Sequence, residues 1–483
     1  IKTVIQELDD RYIDKFIIIK GNLYLMAVGN TSDVEIKAAE ATGIEVMPYE
    51  ITEEGELLSS NKNLGLQGSN GTITIPEIVT SIGDGAFRDV EGLKTIIIPG
   101  TVKKIGDYAF SGNPTLENVI MEEGVETIGA FAFQDCTSLK EIHIADSVSS
   151  IGNTCFGGCT SLETINFPTS LKEIPPRMLS NCDALTEIII PEGIGNIGNM
   201  AFENCDRLIK VTIPSTVNYM GTSIVRTCGK LENIEVSKNS KNYKFEESSL
   251  MSFDGRTLYC ILSDNDDIVD IPETVEVIKQ GSLDNLKSNS TINIGKNVSN
   301  IEGISGAIKS INVIEENQSY ASINGNLYNK DITILIKYCN NEETVILPDT
   351  LKEIKEYAFI GNANVQKIVL NEKFETLNSF CFTGTNITEL YLYENVKKLL
   401  TGAFDTISKN IEISISEENP NYTVVDNTYI LSKDGKKLVA VSKNLEDYTI
   451  PDTVEEIGGS AFYNCSKLVN MAVPSTVKII ASS

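Results

Sequence analysis

The chain has 483 residues, with 67 acidic against 40 basic side chains, one histidine and no tryptophan, for a formal net charge of −27. So acidic a surface repels nucleic acid and anionic membranes. A single histidine leaves a Ser–His–Asp hydrolase or a multi-histidine metal centre without its parts, so neither a catalytic nor a metal site is expected, and no cofactor.

Residues 1–68 follow no repeat. Phe16–Lys20 and Leu23–Val28 are β-rich runs around Gly21-Asn22, the signal of a hairpin. Ser32 or Asp33 is placed to cap a short helix ending at Gly43, and Ile44–Met47 returns to an extended pattern. The expectation is a small α+β N-terminal module that caps the remainder of the chain. The chain begins at Ile1 rather than Met, as expected of a sequence trimmed of a signal peptide. No run of 18 apolar residues is present to span a membrane.

From residue 69 a 23-residue period takes over. Ile75, Ile98, Met121, Ile144, Phe167, Ile190, Ile213 and Val236 form one column, and Phe87, Phe110, Phe133, Phe156, Leu179, Phe202 and Val225 another. Cys136, Cys159, Cys182, Cys205 and Cys228 form a third. A fixed apolar period of this length means stacked units that cannot bury their faces alone, so residues 69–483 are predicted to be a β-rich repeat solenoid. Stacked coils place equivalent thiols side by side, and the cysteines, with Cys155 and Cys381 in an alanine slot, are expected to be buried and unbridged. Gly106, Gly129, Gly152 and Gly198 mark a corner too tight for side chains. Thr101, Thr216, Thr453 and Thr476 are placed to cap groups within their own turn.

Beyond Val236 the period loosens where three units near 238–266, 317–343 and 419–446 intervene. Each carries a tyrosine (Tyr243, Tyr320, Tyr422) and two β-rich runs around Asp254-Gly255, Lys330-Asp331 or Asp434-Gly435. They read as embedded β-hairpins. Asp264, Asp266 and Asp267 form an acidic loop, but Ile268 stands where calcium needs an oxygen, so a solvated turn is expected.

The units resemble the BspA-like, or treponemal-type, leucine-rich repeat. The matching residues are the C-x-x-L-x-x-I-x-I-P core, as in Cys205, Leu208, Val211, Ile213 and Pro214, and the V-x-x-I-G-x-x-A-F half, as in Val102 to Phe110. The resemblance implies a leucine-rich-repeat array with interspersed hairpin units. It also implies a secreted or surface-attached protein of a host-associated microbe, of adhesin type, with a protein partner and no catalytic residues. Leu179, Val225 and the stretch 280–314 depart from the pattern.

If a partner docks on the main sheet, it meets the residues between the buried strand positions. That column reads Ile97, Ile120, His143, Asn166, Ile189, Thr212 and Glu235. A neighbouring column reads Lys94, Glu117, Lys140 and Glu163, an alternation that favours cross-strand ion pairing. The first column is the candidate binding strip, and the alternative is a solvated ladder that only stabilises itself. Alternatives to adhesion are a spacer projecting another domain from the cell surface and carbohydrate binding, the latter without a tryptophan platform.

Overall fold

The computed structural model describes residues 16–19, 22–26, 45–47, 49–52, 54–60, 70–262, 267–400, 402–404, 411–463 and 465–481. The helix expected between Ser32 and Gly43 lies outside the described residues, as do Asp264 and Asp266 of the acidic loop. Every regular element described is a β-strand. The chain divides into two compact units, residues 1–254 with 259–262, and residues 255–258 with 263–483.

In the first unit, Phe16–Ile19 pairs antiparallel with Asn22–Met26, the hairpin its turn residues predict, and Glu45–Met47 adds parallel to it. A second hairpin, Tyr49–Ile51 with Glu56–Ser60, leads directly into the stack. Glu56 and Leu57 pair parallel with Ser81 and Ile82, and Leu57 is fully buried. Stacking therefore begins upstream of residue 69, before the 23-residue period becomes visible in the sequence.

Each coil then lays down two short parallel strands. The main sheet contains strands such as Thr72–Thr74, Thr95–Ile98 and Asn118–Met121, paired Ile73 to Ile96 and Ile96 to Val119. Side chains alternate across a strand, so Ile96, Ile98, Val119 and Met121 are buried and the residues between them face out. The second sheet contains two-residue strands, Ser81–Ile82, Lys104–Ile105, Thr127–Ile128 and Ser150–Ile151.

The turns after the second sheet form a third ladder. Tyr108 and Phe110 N–H donate to Ala130 and Ala132 of the following coil at 2.9 and 2.7 Å, and Phe131 and Phe133 repeat this onto Asn153 and Cys155, both at 2.9 Å. The geometry needs a left-handed residue at each corner, and non-glycine side chains accept it: φ is 56° at Tyr108, 58° at Phe131 and 56° at Thr154. That strain is held by neighbours, for instance the stacked rings of Tyr108 and Phe131, with centroids 4.7 Å apart. Inside the ladder Phe87, Phe110, Phe133 and Phe156 stack face to face at 5.1–5.5 Å.

The cysteines are free and, except Cys465, buried. Their role in the stack is specific. Cys136, Cys159, Cys182, Cys205 and Cys228 each donate S–H to a carbonyl of the preceding coil, on Phe110, Phe133, Phe156, Leu179 and Phe202, at 3.1–3.3 Å. Asn113 holds the same position one coil earlier, donating to Phe87 and Phe110 carbonyls. Two of the threonines act between coils rather than within their own turn: Thr216 and Thr476 hydroxyls donate to Ile194 and Val454 carbonyls of the preceding coil, at 2.7 and 2.8 Å.

The corner glycines owe their identity to close approach, since none of them has a left-handed backbone. A Cβ on Gly152 would stand 2.2 Å from Ala130 N, and on Gly106 2.7 Å from Asp84 N. Each glycine N–H donates to the preceding coil, as Gly152 does to Ile128 at 2.8 Å. Pro175 takes this position in one coil; it has no N–H to give, and the second sheet stops at Ser150–Ile151 and restarts at Glu173–Ile174. Gly152→Ala is expected to lower stability by about 3 kcal/mol, because the clash is with backbone that three ladders fix. Chemical denaturation of the purified variant measures this, and a change below about 1 kcal/mol would show that the corner yields.

In the second unit the hairpin units are three-stranded meanders rather than simple hairpins. Tyr320–Ile323, Asn326–Asn329 and Ile334–Lys337 run antiparallel in series, as do Tyr422–Val425, Tyr429–Ser432 and Lys437–Val441. The first turn of each pairs two left-handed residues, Asn324 and Gly325 at φ 50° and 78°, Asp426 and Asn427 at 51° and 49°. Asn-Gly is the strongest local hairpin signal; the sequence reading placed the turn only at the later Lys330-Asp331.

The meander tyrosine closes a sheet end. Tyr320 Oη accepts Ile301 N–H at 2.8 Å, and Tyr422 Oη accepts Leu399 N–H at 3.2 Å, each from the last second-sheet strand before the meander. A buried asparagine three residues earlier sets up the turn. Asn317 Oδ1 accepts Ser319 and Tyr320 N–H while its Nδ2 donates to Gly295 and Val298 carbonyls. Asn419 repeats this before Tyr422.

One buried charge stands out in this unit. Lys337 is 1% exposed and its Nζ donates to Ile360 O at 2.9 Å. Burial pulls its pKa down to about 8, against the smaller opposing pulls of Cys339 and Asp284. A base whose folded pKa is depressed costs stability below that pKa, and the cost fades as pH rises towards the unfolded value of 10.5. Lys337→Met is therefore expected to stabilise the second unit by about 2 kcal/mol at pH 7, with the gain vanishing near pH 10. Melting curves across that range check it, and a variant less stable than the parent at pH 7 would refute it.

Candidate recognition face

The outward column of the main sheet in the first unit is less uniform than its sequence implies. Ile97 lies between Thr74 and Ile120 in register and is half-buried rather than open. Ile120 and Ile189 are 50% and 61% exposed. His143 is exposed, just past the strand Glu141–Ile142.

Asn166 is taken up by the fold. The strand Thr164–Ile165 ends before it, and its amide replaces the missing ladder: Oδ1 accepts Ile144 N–H at 2.7 Å and Nδ2 donates to Ile144 O at 2.9 Å. Thr212 is half-buried, pairs with Ile189 and Glu235, and accepts Ile190 N–H at its carbonyl. Glu235 is engaged by Lys210 at 3.1 Å, which also reaches Glu187 at 3.3 Å; those two carboxylates raise the Lys210 pKa.

The expected Lys94–Glu117–Lys140–Glu163 ladder does not form as ion pairs. These residues fall outside the paired strands, and their side chains are exposed. The main sheet is also broken on either side of Glu141–Ile142 and Thr164–Ile165, so Ile189 belongs to a different sheet segment from Ile97 and Ile120. Ile209, 44% exposed, directly precedes the strand Lys210–Ile213 in that segment and donates its N–H to Thr186 O at 2.8 Å.

The second unit carries a more coherent strip, which the sequence reading missed. At the same register position the strands Ile268–Asp270, Thr291–Ile294 and Ser310–Val313 present Asp270, Asn293 and Asn312, whose amides bond in series at 2.7 and 3.0 Å. That ladder satisfies itself. On the strands Thr344–Ile346, Lys367–Val369 and Glu389–Leu392 the position holds Ile346, Val369 and Tyr391, exposed by 79%, 38% and 47%. Tyr393 meets Tyr391 edge to face, with centroids 4.8 Å apart. Beside them lies a cavity of about 260 Å³ bounded by the Lys367–Glu389 ion pair, Glu412 and Ser414. Within this sheet Ile346 and Val369 keep the 23-residue spacing, but the meanders put them out of phase with the column of Ile97.

Among the described residues no group of three or more His, Cys, Asp or Glu side chains is placed to hold a metal ion, and no helix is long and apolar enough to cross a membrane.

The BspA type leucine-rich-repeat region, a six-copy family model, matches residues 67–183, 126–252, 259–335, 335–430 and 435–483. The chain belongs to this family. No curated protein matches it. Among solved structures it is similar to a leucine-rich cell surface protein from Faecalibacterium prausnitzii, with 20% identity over 90% of this chain and 93% of that one, at a TM-score of 0.43. It is similar to a pneumococcal vaccine antigen, with 18% identity over 97% and 98% at 0.37, and to a leucine-rich-repeat protein of T. pallidum, with 25% identity over 38% and 86% at 0.34. The BspA-type array accounts for the 23-residue coils.

Proposed function

We propose that this protein is a secreted or cell-surface binding protein of adhesin type, contacting a host protein or another cell through the outward face of its main sheets. The observation that carries the reading is the row Ile346, Val369 and Tyr391, large apolar side chains left in solvent at a position that another sheet of the same unit fills with a self-bonded Asp–Asn–Asn ladder. A fold able to satisfy that position with polar groups has no structural need for exposed isoleucine there, and contiguous exposed apolar surface marks interfaces. Ile120 and Ile189 in the first unit extend the same chemistry. The family's members are typically secreted or surface-attached, which agrees with this reading.

Binding of the 483-residue protein to extracellular-matrix proteins, mucin and epithelial cells tests it, beside two variants. One carries Ile346→Lys and Tyr391→Lys, the other Ile97→Lys, Ile120→Lys and Ile189→Lys. Saturable binding that weakens at least tenfold in the first variant supports docking through the second unit, as expected for the loss of apolar and aromatic anchors. Loss confined to the second variant moves the site to the first unit. Binding by neither parent nor variants favours a spacer that projects another domain.

A further inference from the structure

A second cavity, of about 720 Å³, lies in the second unit and is lined by residues 288–289, 307–309, 338–342 and 360–362. It is separate from the strip of Ile346, Val369 and Tyr391. Asn362, 3% exposed, lines it, and its Oδ1 has no hydrogen-bond partner. The same repeat position in the first unit shows what is missing. There Asn113 Oδ1 accepts Val90 N–H from the preceding coil at 2.9 Å. The residue one repeat before Asn362 is Cys339, and the meander has diverted its N–H to Asn326 Oδ1, at 2.8 Å. Asn362 keeps its donor, with Nδ2 on Asn340 O at 2.8 Å, while its acceptor is unspent. A buried carbonyl without a donor is costly, and a ligand that supplies one recovers that cost. The terminal torsion of an amide side chain is its softest, so a ligand hydroxyl would reach the oxygen by turning the amide, at some cost to the Nδ2 bond with Asn340 O.

We infer that this cavity binds a single neutral sugar residue, one of whose hydroxyls donates to Asn362 Oδ1. A hydroxyl both gives and takes hydrogen bonds, and the lining offers both kinds of partner. Asn289 spends its Nδ2 on Asp267 at 2.6 Å and retains its oxygen as an acceptor. Asn341 spends its Oδ1 on Asn364 N–H at 3.0 Å and retains its NH₂ as a donor. Lys309 and Glu342 bring one charge of each sign, so the lining favours no net charge on the ligand. Ile360, half-buried at the edge of the cavity, gives the apolar side of a sugar ring a surface to rest on, and the volume falls in the range of small-ligand sites.

The test is titration of the 483-residue protein with the methyl glycosides of glucose, galactose and N-acetylglucosamine, followed by saturation-transfer NMR and calorimetry. Glycine serves as a zwitterionic control, since Lys309 and Glu342 could also hold opposite charges. Asn362→Cys removes the acceptor while installing the residue that this position carries in five coils of the first unit, and an unchanged melting temperature verifies that it folds. Asn341→Ala removes a rim donor without touching the core. Saturable binding of at least one glycoside, weakened tenfold or more in Asn362→Cys and several-fold in Asn341→Ala, supports the site. No saturable binding of any glycoside, binding indifferent to both substitutions, or preference for glycine would each overturn it.

Discussion

Raising the pH from about 8 to about 10.5 is expected to unfold the first unit while the protein remains stable at neutral pH. Burial drives the Cys136 pKa up from 9.0 to about 12 and pushes Cys155, Cys159 and Cys182 up as well. Cys228 is raised first by its hydrogen bond with Cys205 and then by burial. An acid whose folded pKa is raised contributes its full stability below the unfolded value of 9.0 and loses it as pH climbs through the folded one. Above pH 9 the unfolded chain releases these protons and the folded coil holds them. Each thiol then removes about 1.4 kcal/mol per pH unit, and the five together about 7 kcal/mol, comparable with the whole stability of an ordinary domain. Burial of Tyr243 acts with the same sign at still higher pH.

The measurement is a series of melting curves by circular dichroism from pH 7 to 10.5, with Cys155→Ala as partner. Alanine fills the same slot at Ala109, Ala132 and Ala201, so the variant should fold at neutral pH. Its stability should fall less steeply above pH 9, by about 1.4 kcal/mol per pH unit, the share of one thiol. A melting temperature that stays level from pH 8 to 10.5 would mean that the thiols reach water more easily than their burial implies.

The cysteine column also shows what the sequence makes legible. Its period revealed burial and stacking because both repeat every 23 residues, and periodic apolar positions map directly onto one face of each coil. The direction of each thiol did not follow from the period. It depends on the third ladder, whose left-handed corners at Tyr108, Phe131 and Thr154 carry side chains that give no hint of positive φ. The corner glycines were legible for the right reason, crowding, because a neighbouring coil at fixed spacing must meet any Cβ. The interruption at Pro175 became intelligible only once the glycine N–H proved to be a ladder donor.

The outward-facing column of the main sheet was legible in part. Alternation along the strands identified which column faces out, and Ile120 and Ile189 do face out. Asn166 was misread because its amide completes a ladder that the strand itself leaves unfinished, a substitution invisible without knowing where the strand ends. The Lys–Glu alternation formed no ion pairs although the backbone stays in step there, with Glu117 N–H on Lys94 O at 2.8 Å and Glu163 N–H on Lys140 O at 2.7 Å; the side chains are exposed, where pairing gains little. Irregular spacing around the meanders hid the continuation of the column to Ile346, Val369 and Tyr391, and with it the more coherent strip.

Phe133→Ala is expected to cost the first unit about 4–5 kcal/mol, at the upper end for a buried aromatic. Phe133 is fully buried and stacked on both sides, against Phe110 at 5.1 Å and Phe156 at 5.5 Å, so truncation removes two ring contacts as well as apolar burial. The surroundings are poorly able to close over the gap. Phe133 N–H is tied to Cys155 O at 2.9 Å, and the adjacent Ala132 carbonyl takes Phe110 N–H at 2.7 Å, so the backbone on both sides is pinned to neighbouring coils. The cost of a large-to-small change grows with the cavity that remains.

Phe133→Leu separates ring loss from cavity formation. Leucine occupies this column naturally at Leu179, where it is also fully buried, so the substitution should cost only about 1–2 kcal/mol. Denaturant unfolding followed by circular dichroism gives both values. Equal losses in the two variants would mean that stacking rather than packing volume holds the spine, and a loss below about 1 kcal/mol for alanine would mean that the coils relax into the space. The ladders on three sides predict neither: they fix the spacing between coils, and that fixed spacing makes each phenylalanine hard to replace.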